Sequence, residues 1–288
     1  MRRSAVIVIA LAAAVASAAG ALAKVIVPTP RQLTESVYDP AKFSDASRID
    51  NPFLPMVPGT QMTYQGRATT GGRREGHRIV ITVSDLTKVV YGVRTLVVWD
   101  QDLDGARLAE QEISFFGQDD DRNIWALGEY PEEYEGGRFA TPSVWIVGRA
   151  GARPGLHFPG NPRPGTPAYS QGFAPKIAWG DIARVVSSGR RVCVPTGCYR
   201  NVLQTEETNP LEPGDGHQRK YYAPGVGNVQ VEPGPGDKDR EVMHLVAVRR
   251  LSPAAMVQVR RHVRALDKRA YRVARPVYGA LPALERLP

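Results

Sequence analysis

Cysteine is scarce: two residues in a chain of 288. That excludes a disulfide-dense mini-protein and any zinc site built from four cysteines. The sequence has no G-x-S-x-G, H-E-x-x-H or Walker loop, and no H-x-E beside a cysteine pair, so the familiar hydrolase, metalloprotease, nucleotide and deaminase signatures are missing. The five histidines, His77, His157, His217, His244 and His262, are scattered without metal-ligand spacing. No metal and no cofactor is expected from these residues. No repeat of 20–50 residues stands out, which argues against a solenoid. Glycine and proline, by contrast, are plentiful at 28 and 24 residues. They favour many turns and strands over long helices.

Between Ala5 and Ala23 no charged residue occurs. Arg2 and Arg3 precede this apolar stretch, and Ala21-Leu22-Ala23 ends it in a small-x-small pattern. Residues 1–23 therefore read as a secretory signal peptide, with a retained membrane anchor as the competing reading. Residues 24–50 are polar with scattered prolines and read as an extended lead-in, followed by a β-rich domain over 51–252. Export to the periplasm, cell envelope or extracellular space follows from the leader.

Charge is unevenly placed. Residues 253–288 hold eight basic residues and two acids, a net +6, whereas residues 24–252 balance to zero. The overall pI of 9.6 thus belongs to one segment, and no nucleic-acid partner is expected of an exported chain. That segment changes period. Ser252-Pro253 supplies an N-cap and a first-turn proline, then Met256, Val259, Val263, Leu266, Ala270 and Val273 recur at spacings of three and four. Arg260, Arg264, Lys268 and Arg272 line another face. The stripe predicts an amphipathic helix that either packs on the sheet or binds a lipid or other anionic envelope surface through those four cations. The neutral body, with its own strands, is expected to fold without it.

Runs of β-branched and aromatic residues at 61–65, 78–83, 89–91, 93–99, 108–116, 123–127, 144–147, 182–187, 191–194, 202–205, 219–222, 226–231 and 242–248 alternate with turn residues. The fold class predicted is mainly β: an antiparallel barrel or sandwich of about a dozen short strands with one C-terminal amphipathic helix. Residues 149–180 read as a long loop with one short strand. Cys193 and Cys198 flank Val-Pro-Thr-Gly, so a tight hairpin would place them opposite each other, and a disulfide is expected in an oxidising compartment.

Two acidic segments invite functional readings. Asp100-Gln101-Asp102-Leu103-Asp104-Gly105 begins like a calcium loop, but position 12 is Gln111 where a bidentate Glu is needed. It reads as a hairpin turn. Glu129, Glu132, Glu133 and Glu135, mixed with Tyr130 and Tyr134, read as a solvated loop.

The phrases Asn51-Pro52-Phe53-Leu54-Pro55, Pro58-Gly59-Thr60, Asp121 to Trp125 with Gly128-Glu129, V-x-V-P-x-G-x-[aromatic]-x-N-V-L from Val192 to Leu203, and Tyr221-Tyr222-Ala223-Pro224-Gly225-Val226-Gly227 go together. Through them the chain resembles a family of uncharacterised secreted bacterial β-rich proteins, over roughly residues 50–248. The family usually shows D-G-N where this chain has Asp121-Arg122-Asn123, and the cysteine pair and basic helix look like additions. The resemblance implies a β fold and export, and no activity. With no activated nucleophile in view, the sequence favours a non-enzymatic exported envelope protein that binds an apolar or anionic ligand or surface. The alternative is a secreted hydrolase using carboxylates such as Glu129, Glu206 or Glu207 in a sheet cleft.

Overall fold

The computed structural model describes residues 38–70, 72–140 and 142–287. The expected signal peptide and most of the lead-in lie outside them. Fifteen strands form one antiparallel sheet: β1 (Thr60–Thr70), β2 (Arg73–Val90), β3 (Val93–Asp104), β4 (Arg107–Gln118), β5 (Ile124–Glu135), β6 (Arg138–Phe139), β7 (Trp145–Ile146), β8 (Gly155–Phe158), β9 (Tyr169–Ser170), β10 (Ile182–Val194), β11 (Gly197–Thr208), β12 (His217–Ala223), β13 (Gly227–Pro233), β14 (Val242–Arg250) and β15 (Glu285–Arg286). Two helices follow β14: α1 (Pro253–Val273) and the short α2 (Arg275–Tyr278).

The strand order is β6-β5-β4-β3-β2-β1-β14-β13-β12-β11-β10-β9. It consists of two meanders, β1–β6 and β9–β14, joined where β1 pairs β14. The sheet is not closed. Its ends nonetheless lie together, because β8 pairs β5 and β9 pairs β10. Gln171 donates to the His157 carbonyl at 3.2 Å, and the Arg153 N–H to the Phe173 carbonyl at 2.8 Å. Gly155 makes this approach feasible: a Cβ there would sit 1.8 Å from the Gln171 carbonyl oxygen. Segment 149–180 therefore carries two short strands, not one, and buries Trp179. Several strands are also long, β2 running for 18 residues.

The family-like phrases turn out to be turn chemistry. The Asn51 amide donates to the carbonyls of Arg122 and Pro159 and accepts from the N–H groups of Phe53 and Leu54. Asp119 accepts from the N–H of Asp121 and Asn123, the Asn123 amide and the Trp125 indole. Arg122 inside that turn has φ +64°, a conformation that glycine adopts without a steric cost. In the Tyr221–Gly227 phrase, the Gly225 N–H donates to the Pro52 carbonyl at 2.7 Å. The described part of the lead-in is not an extended strap. It carries a 3-10 turn at Pro40–Lys42 and buries Ala46, Ser47 and Ile49 over one end of the sheet.

Cys193 and Cys198 are cross-strand partners around a two-residue turn and form the expected disulfide, with S–S 2.10 Å. The 100–105 segment is likewise hairpin: Asp100, Asp102 and Asp104 belong to β3, and Gly105-Ala106 make the turn.

Both faces of the N-terminal meander are covered. Trp99, Ile113, Phe115 and Tyr130 point to one face and pack beneath α1 and α2. Trp99 stacks on His262 at 5.1 Å between centroids, and Tyr278 meets Phe115 and Tyr130. The apolar stripe of α1 is buried from Met256 to Ala270, while Val273 is exposed. Ser252 caps the helix by accepting from the Ala255 N–H. At the centre of this contact Lys88, wholly buried on β2, pairs with Asp267 at 2.6 Å. Lys88 also donates to Tyr271 and the Pro282 carbonyl, and Tyr278 donates to Asp267 at 2.6 Å. Burial lowers the Lys88 pKa, and Asp267 opposes that shift.

The tail is thus packed on the sheet through a buried ion pair, and the body is expected to lose stability without it. Removing one partner of a buried ion pair typically costs about 3–5 kcal/mol. Asp267→Ala should lower stability by about that much in urea unfolding, and Lys88→Met with Asp267→Leu should recover most of the loss. A chain ending at Ser252 should melt well below the full chain; equal melting temperatures would contradict this packing.

Candidate functional site

Side chains alternate along a strand, so the residues between those under α1 face the interior of the curved sheet. Directly paired residues share a face, and the register therefore assembles the site. Met62, Tyr64, Ile81, Val83, Val98 and Phe116 come together from β1 to β4. With Leu54, Met56, His157, Lys220, Tyr222 and Asn228 they line an interior cavity of about 50 Å³. Its walls are apolar apart from His157, Lys220, Asn228 and the hydroxyls of Tyr64 and Tyr222. Burial and the Lys220 charge hold the His157 pKa down to about 3, so that ring is neutral. Lys220 is paired with Glu207 at 2.5 Å.

Met56 also lines a second, open cleft of about 790 Å³. Asp45, Arg48, Asp50, Arg94, Arg286 and Leu287 form part of its wall. Each arginine has a carboxylate nearby: Arg48 and Asp50 at 3.5 Å, Arg94 with Glu285, and Arg286 with Asp85 at 3.1 Å. The Arg48–Asp50 and Arg94–Glu285 pairs are exposed, whereas Asp85 is largely buried and shared with Arg260. A small apolar cavity and a larger charged cleft thus share one flexible thioether wall.

Beyond Val98 the interior face becomes acidic. Asp100 lies directly across from Glu112, Asp102 across from Glu110, and Glu129 across from Ser114. All five carboxyls are buried. Burial raises the pKa of Asp100, Glu110 and Glu112, and their mutual repulsion adds to it. Burial pushes Glu129 up to about 8, with Trp145 opposing and Asp181 adding. At the far end of this face His77 on β2 sits between two carboxylates. Its Nε2 meets Asp102, and its Nδ1 lies 2.8 Å from Glu241. Burial alone would lower the His77 pKa, but hydrogen bonds to Asp102 and Glu241 outweigh it and hold the ring at about 10.

The sequence-level candidates are distributed differently from a single hydrolytic pair. Glu206 and Glu207 do face opposite sides. Glu206 pairs with Arg184, Arg219 and His217, and Glu207 with Lys220. Glu129 belongs to the carboxyl group on β3–β5. The segment expected to be a solvated acidic loop is β5 itself, with Glu129 and Glu132 buried. Glu132 is answered by Arg269 at 2.8 Å and accepts from the Tyr130 and Tyr134 hydroxyls. On α1, Arg260 is half-buried against Asp85 at 2.8 Å, whereas Arg264, Lys268 and Arg272 are exposed. His77, Asp102, Asp104 and Glu241 were missed as a group, because β2, β3 and β14 unite residues far apart in the chain. The period-two D-x-D-x-D run was the available signal: in a strand it puts three carboxylates on one face.

No family model and no curated protein matches the sequence. Among solved structures, a putative exported protein with YmcC-like fold from Bacteroides fragilis aligns with 68% of this chain and 98% of its own. The identity is 14% and the TM-score 0.40, so slight a likeness that it carries no functional reading.

The raised carboxyls fix a sign for pH dependence. Glu129 keeps its proton in the folded state to about pH 8, whereas an unfolded glutamate loses it near pH 4.3. Its stabilising contribution is full below about pH 4.3 and is lost as pH rises towards 8. The melting temperature should fall over that window. Glu129→Gln should raise it at pH 8.5 and leave it nearly unchanged at pH 4; a variant that melts lower at pH 8.5 would contradict the assignment.

Proposed function

We propose that this protein is a non-enzymatic exported binding protein for an amphiphile with an acidic head group. The observation that carries the reading is Met56, the wall shared by the apolar interior cavity and the arginine-bearing cleft. The cavity of about 50 Å³ suits the end of an alkyl chain and not a whole drug-sized ligand, for which pockets run to about 300–1,000 Å³. The cleft of about 790 Å³ is in that range. Methionine is unbranched and adapts its shape readily, so Met56 and Met62 can yield to a chain passing inward. An acidic head would then lie among Arg48, Arg94 and Arg286, displacing the exposed carboxylates of Asp50 and Glu285 from the first two. The Cys193–Cys198 disulfide supports an oxidising, extracytoplasmic setting. Arg264, Lys268 and Arg272, exposed on α1, support contact with an anionic membrane from which such a ligand could be taken.

A fluorescent anionic amphiphile, dansyl-undecanoate, tests the reading. It should bind saturably with a blue-shifted emission. Val98→Trp, which fills the cavity, should weaken binding at least tenfold, with the fold checked by circular dichroism. Loading from anionic vesicles should exceed loading from neutral ones. Arg264→Glu, Lys268→Glu and Arg272→Glu together should remove that preference. Binding indifferent to Val98→Trp would overturn the proposal.

A further inference from the structure

The interior face carries one constellation that an amphiphile does not use. His77 pairs directly with Asp104 across β2 and β3, and Asp102 lies one step along the same face. One ligand atom from each of the three lies within 4.8 Å of the others. His77 and Asp102 are buried, and Asp104 is half-buried at the turn end of the hairpin. We infer that His77, Asp102 and Asp104 form a binding site for a divalent transition-metal ion, of which zinc is the fitting probe.

Three observations lead there. The first is the donor set. One imidazole nitrogen with two carboxylate oxygens suits zinc, which takes nitrogen and oxygen ligands at about 2.0–2.2 Å. Calcium and magnesium prefer oxygen alone. The second is the support behind the histidine. A metal-bound histidine usually gives its other ring N–H to a carboxylate, which fixes the ring. Here Nδ1 faces Glu241 at 2.8 Å, and Glu241 in turn accepts from the Gln218 amide at 2.6 Å. Nε2 is left on the Asp102 side. The third is a pair of buried carboxyls beside the site with unpartnered oxygens. Asp100, two residues along β3 on the same face, is buried at 3% exposure, and neither of its oxygens takes a hydrogen bond from another side chain. Across from it, Oε2 of Glu112 is buried without a hydrogen-bond partner. A dication beside them would favour the ionised form of these buried carboxyls.

In this assignment the ion takes the place of the proton now shared between His77 and Asp102, so that contact opens as the metal enters. Asp104 closes the third side, and its half-buried position leaves the remaining coordination towards solvent. Such a site would clamp β2 to β3 where the β1–β2 and β3–β4 turns end the sheet. It stands apart from the cavity under Met56, whose lining includes none of the three ligands.

The test is zinc titration of chelator-treated protein by calorimetry. One zinc per chain is expected. Asp104→Asn and His77→Gln should each weaken binding by roughly 100-fold or more. Glu241→Gln, a positioning change, should weaken it about 10–100-fold. If His77→Gln does not fold, Asp104→Asn, at a half-buried position, decides alone, and cobalt substitution in the unaltered protein supplies a visible spectrum that reports nitrogen and oxygen coordination. No zinc binding, or binding unmoved by Asp104→Asn, would overturn the site and leave His77 as a structural imidazolium between two carboxylates. The amphiphile assay is independent: it requires neither His77 nor Asp104.

Discussion

The inner face of the sheet is buried, and over the N-terminal meander the helices cover the outer face as well, so a charge that a strand carries inward must be answered inside the protein. On the outer face the answer is the Lys88–Asp267 pair, which ties α1 to β2 and is wrapped by Tyr271 and Tyr278. On the inner face Glu207 is met by Lys220, and His77 by Asp102 and Glu241. Asp100, Glu112 and Glu129 have no cation among these partners, and their pKa values rise accordingly. That imbalance is the least ordinary property of the molecule. A purely structural interior would have placed apolar residues at those positions, since burying ionisable groups without partners costs stability.

Local chemistry was legible in the sequence, and long-range register was not. The Ser252-Pro253 start and the three-four spacing of apolar residues located α1, because capping and helical periodicity act within a few residues. The same holds for the Cys193–Cys198 hairpin and the Gly105 turn. The acidic segment at 129–135 misled, since a run of glutamates reads as solvated until Arg269, two tyrosine hydroxyls and the opposing strand are known. Asp267 was counted as a minor offset to a basic tail, yet it is the residue that fixes the tail to the sheet. The quartet His77, Asp102, Asp104 and Glu241 required the pairing of β1 with β2 and β14, and of β2 with β3. Several residues of the family-like phrases serve in turns: Asn51 and Asp119 bind backbone groups, and the Gly225 N–H donates to the Pro52 carbonyl.

The inner face divides into two chemistries along the length of β3. At Val98 it is apolar and opens beneath Met56 towards the arginine-bearing cleft. From Asp100 onward it is acidic and ends at His77. The proposed amphiphile concerns the first region and the proposed metal ion the second, so each can be tested without the other. The exposed basic residues of α1 lie outside both and concern only how a ligand would reach the protein.

The central claim is that the cavity and cleft joined at Met56 hold an amphiphile with an acidic head. Native mass spectrometry of the protein purified from the exported fraction of its own host tests it most directly, because it presupposes no probe. The expected result is a discrete added mass that organic solvent releases as an acidic lipid-like molecule. A spectrum containing only the polypeptide, or the polypeptide with metal alone, would contradict the account.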